Sequence, residues 1–386
     1  MIHLPSPSLS TWEKESFFAP ADIIIAGSGL VGLWSAYYLK KKQPSLRITI
    51  VERGIIPTGA STRNAGFACF GSLTELLADI DQMGEDKTLE LVAMRYKGLK
   101  RIRKTFHKRE IGYEQLGSYE LLCSAGKFSD SNGLRSAIDG MNLLLKKITG
   151  EQKTFRLRND KISAFGFAGV RYLIESPTEG QLHSGQLCQA LLRLVQSLGV
   201  GILNNIDITG YEKVNGHLLL HNQHSFPLIA SQLVVCTNAF ARQLLPQLDI
   251  TPARGQVLVT SPIDRLPFSG TFHFDEGYYY FRNLGERVLL GGARNHAFEE
   301  ETTTDMTLTD TIQQELERFL HDMILPGRHY TIDTRWSGIM GMGGEKMPIV
   351  RAVNDHVFCA VRMHGMGVAL APVIGEQIAA MLTGKS

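Results

Sequence analysis

The sequence predicts an α/β chain in two parts: a parallel-sheet domain opened by a βαβ unit, and a second α+β domain built on an antiparallel sheet. Three observations lead there. Residues 21–53 read as strand, glycine turn, helix and strand, with Gly27-Ser28-Gly29-Leu30-Val31-Gly32 at the turn. Near the other end an apolar stretch at 356–361 runs into Arg362-Met363-His364-Gly365-Met366-Gly367-Val368-Ala369 and a second helix. Between them, residues 246–332 alternate in period two with turn residues at the breaks, as antiparallel strands do.

The first unit carries the most chemistry. Residues 23–26 are apolar throughout and read as a buried parallel strand. Gly27 permits a tight turn, Gly29 permits close approach of backbone to a phosphate, and Gly32 permits close packing of helix on strand. The helix that follows begins with free amides, a favourable place for a diphosphate. Glu52 ends the next strand, twenty residues beyond Gly32, where a carboxylate reaches a ribose hydroxyl. Strand, turn, helix, strand and acid agree on a Rossmann-like unit for an adenine dinucleotide. Candidate cofactor residues here are Gly27, Ser28, Gly29, Leu30, Val31, Gly32, Glu52 and Arg53.

The stretch after Glu52 separates the dinucleotides. It runs Thr58-Gly59-Ala60-Ser61-Thr62-Arg63-Asn64-Ala65-Gly66-Phe67, rich in small residues and backbone amides, where simple nicotinamide enzymes enter another helix. This segment resembles the Gly-Ala-Ser-x-Arg-Asn-x-Gly signature of the D-amino-acid oxidase-like flavoproteins. The 356–372 stretch, Trp336-Ser337-Gly338 and Pro252-Ala253-Arg254-Gly255-Gln256 are similar to further landmarks of that family, which includes glycine and sarcosine oxidases and γ-glutamylputrescine oxidases. The resemblance implies a flavin domain of the glutathione-reductase type, with FAD held by Ala60, Ser61, Arg63, Asn64, Ala65 and Gly66. It adds Ile206 and Thr237-Asn238-Ala239 at strand ends, and His364, Gly365, Met366, Gly367, Val368 and Ala369 at the last helix. Histidine-attached members carry their histidine where this chain has Asn64, and cysteine-attached members use a loop that holds no cysteine here at 339–347; FAD is therefore expected to be non-covalent.

Composition bounds the rest. The 386 residues suffice for two domains, and 44% hydrophobic with 20% charged residues describe a globular chain. A net charge of +2 gives no general preference for polyanions. Five cysteines, Cys69, Cys123, Cys188, Cys236 and Cys359, are widely spaced without a C-x-x-C pair. They are expected to be reduced thiols of a cytoplasmic protein, not metal ligands. No apolar run reaches bilayer length, and residues 1–20 are expected to form an extended arm that packs Trp12, Phe17 and Phe18 on the body. His217, His221 and His224 cluster in a hairpin without the partners a metal site needs. A helix near 89–106 carries Lys97, Lys100, Arg101, Arg103 and Lys104, read as a solvated face and not a nucleic-acid surface.

Boundaries are expected at 1–95, 176–245 and 333–386 for a discontinuous FAD domain, and at 96–175 and 246–332 for a substrate domain. A helix is expected from about 180 to 198. In the substrate domain, 256–260, 278–282 and 287–292 read as strands, with a hairpin at Leu284-Gly285. Pro372 is expected in the first turn of the last helix, where its missing N–H costs nothing.

The expected chemistry is oxidation of a C–N bond in a small amine or amino acid by hydride transfer to flavin. The last helix would stabilise charge on the reduced flavin. Candidate catalytic residues are His364, Arg254, Tyr280 and Arg282. The family resemblance implies a carboxylate-binding arginine just after Trp-x-Gly, and here 337–348 contains none, which favours amines. It also implies a lysine that aids oxygen where this chain has Leu289 and Leu290, so the acceptor is oxygen or another oxidant. Two alternatives remain: a flavin domain acting on a modified nucleoside in RNA, or a flavin-binding subunit without turnover.

Overall fold

A computed structural model describes residues 9–123, 128, 130–224 and 226–384. The chain divides into two compact units, one of Met1–Thr62, Leu187–Pro252 and Met340–Ser386, the other of Arg63–Gln186 and Ala253–Ile339. Residues 63–95 and 176–186, drawn with the dinucleotide part from sequence, thus pack in the second unit.

The first unit is built on an eight-stranded mixed sheet. Its centre is strand Ala21–Ala26, parallel to Ile48–Glu52 on one side and to Leu228–Val235 on the other. Gly201–Asn204 extends the sheet in parallel beyond Ile48–Glu52, and Val357–Val361 extends it beyond Leu228–Val235. The apolar runs of Ala21–Ala26, Ile48–Glu52 and Val357–Val361 follow from burial on both faces, whereas Gly201–Asn204 at the end of the row is exposed at both its ends and half-buried between. Helix Leu30–Lys42 packs on helix Gly367–Thr383, and their approach depends on Gly375. A Cβ there would lie 2.6 Å from the backbone of Trp34 and 2.7 Å from that of Ser35. The last helix is buried along almost its whole first half, from Val368 to Gly375, not along one stripe. Pro372 is its sixth residue, not a first-turn residue as expected, so its ring nitrogen offers no proton to the carbonyl four residues back.

The N-terminal segment also departs from expectation. Residues 11–15 form a short helix, Thr11–Glu15, capped by Ser10 and Glu13 in a reciprocal box. Only Phe18 packs, edge-on to Phe226 with ring centroids 4.6 Å apart, while Trp12 and Phe17 are exposed. Residues 1–8 of the expected arm lie outside the described residues. His217 and His221 share the exposed face of strand His217–Asn222, and His221 pairs with Glu212 at 3.2 Å. The five cysteines are free, and four are buried. Among the described residues no helix is long and apolar enough to cross a membrane.

The second unit is built on another eight-stranded sheet, in the order Ile332–Met342, Thr251–Thr260, Arg287–Gly292, Tyr279–Leu284, Thr271–Phe274, Ser118–Cys123, Val170–Ser176 and Arg156–Leu157. The hairpin expected at Leu284-Gly285 is present, with Leu284 opposite Arg287 and Gly285 at φ 62°. Side-chain alternation gives the sheet two different faces. One is an aromatic core of Tyr119, Phe167, Phe272, Tyr279, Phe281 and Phe319 under helix Asp310–Phe319. The other carries Ser118, Glu120, Thr271, His273, Tyr280, Arg282, Leu289 and Gly291. Residues 180–181 form a short strand with Phe67–Ala68, so the following helix starts at Ser184, later than expected.

Candidate functional site

In the first unit the dinucleotide turn is held by its own residues. Gly27 has φ 105°, which an L side chain rarely adopts, and a Cβ on it would lie 2.9 Å from the Cys236 carbonyl oxygen. A Cβ on Gly32 would lie 2.0 Å from the Gly27 carbonyl oxygen, so helix Leu30–Lys42 packs on its turn only with glycine there. The Glu52 carboxylate is buried. It accepts from the Ser28 amide (3.1 Å), the Ser28 hydroxyl (2.8 Å) and the Gly54 amide (3.0 Å), and so fixes the turn it faces. The Ser61 hydroxyl accepts from the first helical amide, Leu30 N, at 2.9 Å. Arg53 lays its guanidinium over the Phe240 ring, 3.7 Å from the centroid. Ile206 is buried beside Glu52 and donates its amide to the Glu52 carbonyl at 2.9 Å.

The strand-end residues converge on the start of the last helix. Asn238, at φ 46°, accepts from the amides of Arg362 (3.0 Å) and Met363 (3.2 Å) through its side-chain oxygen. Arg362 sits at φ 63° and is buried, with its guanidinium on the Met347 carbonyl and on Asp249 at 2.7 Å. Sequence reading gave Arg362 no role; its positive φ and its ion pair with the exposed Asp249 leave no trace in residue patterns. His364, at φ 48°, donates its amide to the Gly341 carbonyl, and its Nε2 lies 2.9 Å from the Glu345 carbonyl oxygen. Its ring is thus engaged by a loop carbonyl. Met366 caps the helix, which begins at Gly367, and Gly365 has open space where a Cβ would stand. Ala239 is buried, and Thr237 Oγ1 is buried with no hydrogen-bond partner among the described residues.

These residues fit an adenine dinucleotide. The turn is too narrow for side chains at three glycines, the first helix opens on backbone amides, and Thr237 keeps a buried hydroxyl for a partner.

In the second unit, Arg63, Asn64, Ala65 and Gly66 are fastened from several directions. Arg63 donates to the Ser337 carbonyl at 2.9 Å, and the Trp336 indole donates back to the Arg63 carbonyl at 2.9 Å. Gly338 leaves room for Arg63, since a Cβ there would stand 3.0 Å from the arginine's own. The Trp-x-Gly landmark thus acts as a clamp on the Arg63 segment. The Asn64 side-chain oxygen accepts from Gly66 N (2.8 Å) and Ser184 Oγ (2.6 Å).

The catalytic candidates of this unit separate. Arg254 is buried in a fork with Glu301, at 3.0 Å from Nε and 2.7 Å from Nη2, and its Nη1 donates to the Thr307 carbonyl at 2.6 Å. Its donors are committed to the protein, so it is corrected from a substrate partner to an ion pair within the unit. Arg282 differs. Only its Nη1 is engaged, by the carbonyls of Gly66 (3.1 Å) and Leu182 (3.0 Å), while Nε is buried without a partner among the described residues. Burial without a carboxylate partner lowers its pKa to about 10. Tyr280 lies two residues away on the same face, its ring over Gly291, where a Cβ would stand 2.5 Å from ring carbon. Phe67, Val257, Val259, Leu289 and Trp336 pack around it. Tyr279 faces the other way and bonds Glu315 at 2.6 Å. Leu289 shares the Tyr280 face and Leu290 the core.

Sequence reading missed His273, Glu120 and Glu179 on or beside this face. Glu120 accepts from Ser72 and Thr74, and Glu179 from the Phe70 amide. Burial pushes their carboxyls up to about 7 and about 8. Each stands alone in a stretch with no motif; strand register brings Glu120 and His273 to one side, and Glu179 lies in the link between strands Val170–Ser176 and Gly180–Gln181.

A family model described as "FAD dependent oxidoreductase", DAO, matches residues 22–381. Among curated proteins, the "Probable oxidoreductase OrdL" of Haemophilus influenzae is 22% identical, over 94% of this chain and 83% of its own length. Two solved structures share the fold. L-proline dehydrogenase from P. horikoshii has a TM-score of 0.76 at 17% identity, covering 95% of this chain and 94% of that one. Glycine oxidase from Geobacillus kaustophilus has a TM-score of 0.76 at 18% identity, covering 95% of each chain.

Proposed function

Because the chain belongs to the DAO family of FAD-dependent oxidoreductases, we propose that it oxidises the C–N bond of a small amine or amino acid. It is an FAD-dependent enzyme, and the flavin, when bound, accepts the hydride. We assign FAD binding, without a covalent link, to the Gly27–Gly32 turn, Glu52, the 60–66 segment, Ile206, residues 237–239 and the start of the last helix. The amides at Gly365, Met366 and Gly367 would favour negative charge.

The observation that carries the substrate reading is the face of the second sheet bearing Tyr280 and Arg282. An aromatic ring held by its neighbours lies beside a buried cation with no carboxylate partner, and apolar Leu289 and Val259 surround them. Tyr280 suits the alkyl part of an amine, and its neighbour Arg282 suits an electronegative group on the same molecule. His364 acts in this reading through its place at the helix start, its ring being held by the Glu345 carbonyl. Free cysteines support a reducing compartment, and we place the protein in the cytoplasm. Among the relatives' names both an oxidase and a dehydrogenase occur, and the acceptor here is oxygen or another oxidant.

The test is anaerobic titration of the flavin absorbance with secondary amines, polyamine derivatives and D- and L-amino acids. Bleaching by one class is the expected result, and readmitted air separates oxidase from dehydrogenase. A flavin that none of them bleaches would overturn the reading.

A further inference from the structure

Among the described residues four arginines are buried: Arg95, Arg254, Arg282 and Arg362. Three of them meet an acid, Arg95 with Glu75 at 3.2 Å, Arg254 with Glu301 at 2.7 Å and Arg362 with Asp249 at 2.7 Å. Arg282, 5% exposed, meets none among the described residues. Glu114 acts on it only through space, its own carboxylate accepting from Gln181 at 2.7 Å. A buried cation without a counter-charge is costly, so its presence here calls for an anion supplied from outside the protein.

The guanidinium itself shows which edge is open to that anion. Nη1 donates to the carbonyls of Gly66 (3.1 Å) and Leu182 (3.0 Å), which leaves Nε and Nη2. Those two nitrogens lie on one edge of the planar group and donate in parallel, a fork that takes both oxygens of a carboxylate. Arg254 in the same unit uses that fork. Its Nη1 is on the Thr307 carbonyl, and its Nε and Nη2 hold the two oxygens of Glu301 at 3.0 and 2.7 Å. Arg282 repeats the carbonyl half of the arrangement and has no acid of the protein at the other half.

A second donor stands on the same face. Thr271 pairs with Arg282 and His273 with Tyr280, so His273 is diagonal to Arg282 on the facing strand. Both lie against the Gly66-Phe67 dipeptide. Arg282 holds the Gly66 carbonyl, and the His273 ring stands edge-on to the Phe67 ring with centroids 5.2 Å apart. His273 is buried, and its Nε2 has no hydrogen-bond partner among the described residues. Burial lowers its pKa, against a smaller pull from Glu75, so the ring is neutral and has one N–H to give.

We propose that Arg282, with His273 as a second donor, is the subsite for a carboxylate carried by the amine substrate. The proposal rests on the amine-oxidising reading and narrows it to amines that bear a carboxylate. One guanidinium charge beside a neutral imidazole balances a single carboxylate, whereas a phosphate group brings more negative charge than the pair can match. Arg282 binds the substrate and takes no part in moving electrons. Tyr280, two residues away on the same face, keeps its place against the alkyl part.

The experiment compares amino acids with amines that lack only the carboxylate: alanine with ethylamine, N-methylglycine with dimethylamine, proline with pyrrolidine, and 4-aminobutanoate with propylamine. Both enantiomers of alanine and proline are included. Anaerobic flavin bleaching gives the half-saturating concentration, and an amine that is not oxidised is read by its inhibition constant. In the wild type the amino acid of the active pair is expected to half-saturate at a concentration lower by about tenfold or more. In Arg282→Gln that advantage is expected to vanish through weaker binding of the amino acid alone, while Arg282→Lys, with the charge but not the fork, keeps part of it. His273→Phe is expected to lose about threefold, again for the amino acid alone. If Arg282 only held the Gly66 and Leu182 carbonyls, both members of a pair would lose alike. A second readout uses the wild type and holds the test open if the variants do not fold. In histidine 15N spectra the imidazole that cross-relaxes with Phe67 is expected to stay neutral and to shift its N–H with acetate, and not with acetamide. Equal half-saturation within the active pair, losses shared by both members in Arg282→Gln, or an imidazole that acetate leaves unmoved overturns the subsite and leaves the amine reading standing. Failure of every amino acid and every amine to bleach overturns the amine reading and the subsite with it.

Discussion

Two mid-helix glycines, exchanged for alanine, are expected to move stability in opposite directions. In helix Ser131–Thr149, Gly140 has nothing within 4 Å of where a Cβ would stand. There alanine gains helix propensity, up to about 1 kcal/mol. Gly375 lies inside Gly367–Thr383, but its Cβ would stand 2.6 Å from Trp34 C, 2.7 Å from Ser35 N and 2.8 Å from Trp34 Cβ. The first two are backbone atoms of a packed helix, which yield only if the helices separate. Overpacking of that kind costs about 1–3 kcal/mol. Setting the full propensity gain against it leaves Gly375→Ala destabilised by up to about 2 kcal/mol, against a gain of up to about 1 kcal/mol for Gly140→Ala. Both crossing helices begin at cofactor candidates, so Gly375→Ala is also expected to weaken FAD binding while Gly140→Ala leaves it unchanged. Urea denaturation followed by circular dichroism, with flavin titration of the apoprotein, reads both effects. If Gly375→Ala were as stabilising as Gly140→Ala, the close crossing would not govern this helix pair and the reasoning would fail.

Other outcomes follow from the site. Glu120 and Glu179, pushed up to about 7 and about 8, hold protons more tightly folded than unfolded. Their contribution is full below the unfolded value near pH ~4.3 and is lost as pH rises through about 7 and 8, so urea midpoints should fall over that window and fall less in Glu179→Gln. Arg254→Met strands a buried Glu301 and should cost about 3–5 kcal/mol; Arg254→Met with Glu301→Gln should recover part of it in the same denaturation assay. Gly29→Ala puts a Cβ 2.9 Å from Ser61 Oγ, so FAD affinity should drop about tenfold (about 1.4 kcal/mol) and be partly restored by Ser61→Ala. Equal affinity in Gly29→Ala and wild type would remove Ser61 from the account.

What residue patterns revealed, and what they hid, divides along one physical line. The dinucleotide turn was legible because the conformation of the turn itself demands its glycines and its acid, whichever residues close over them. Gly32 answers to a clash within its own turn, Gly27 to one at the end of the adjacent strand, and Glu52 to Ser28 across one strand pair, while the Gly29 contact with Ser61 is the one that residue patterns near the turn do not contain. The Leu284-Gly285 hairpin was legible for the same reason. Pro372 misled because a proline near a helix start and one at its sixth residue differ only in where the helix begins, and the start at Gly367, after a Met366 cap with no side-chain hydrogen bond, carries no capping residue for a sequence reading to find. Arg254 misled because its partner, Glu301, is 47 residues distant in a stretch without pattern. His273 was invisible for a deeper reason. Its meaning lies in standing beside Glu120 and opposite Tyr280, and the Glu120 pairing joins strands some 150 residues apart in sequence. A one-residue slip in that register would turn His273 into the aromatic core and bring Phe272 or Phe274 to the polar face. The same alternation that buries Phe272 and Phe281 therefore places His273 and Tyr280, and the packing of one face selects which groups the other face presents.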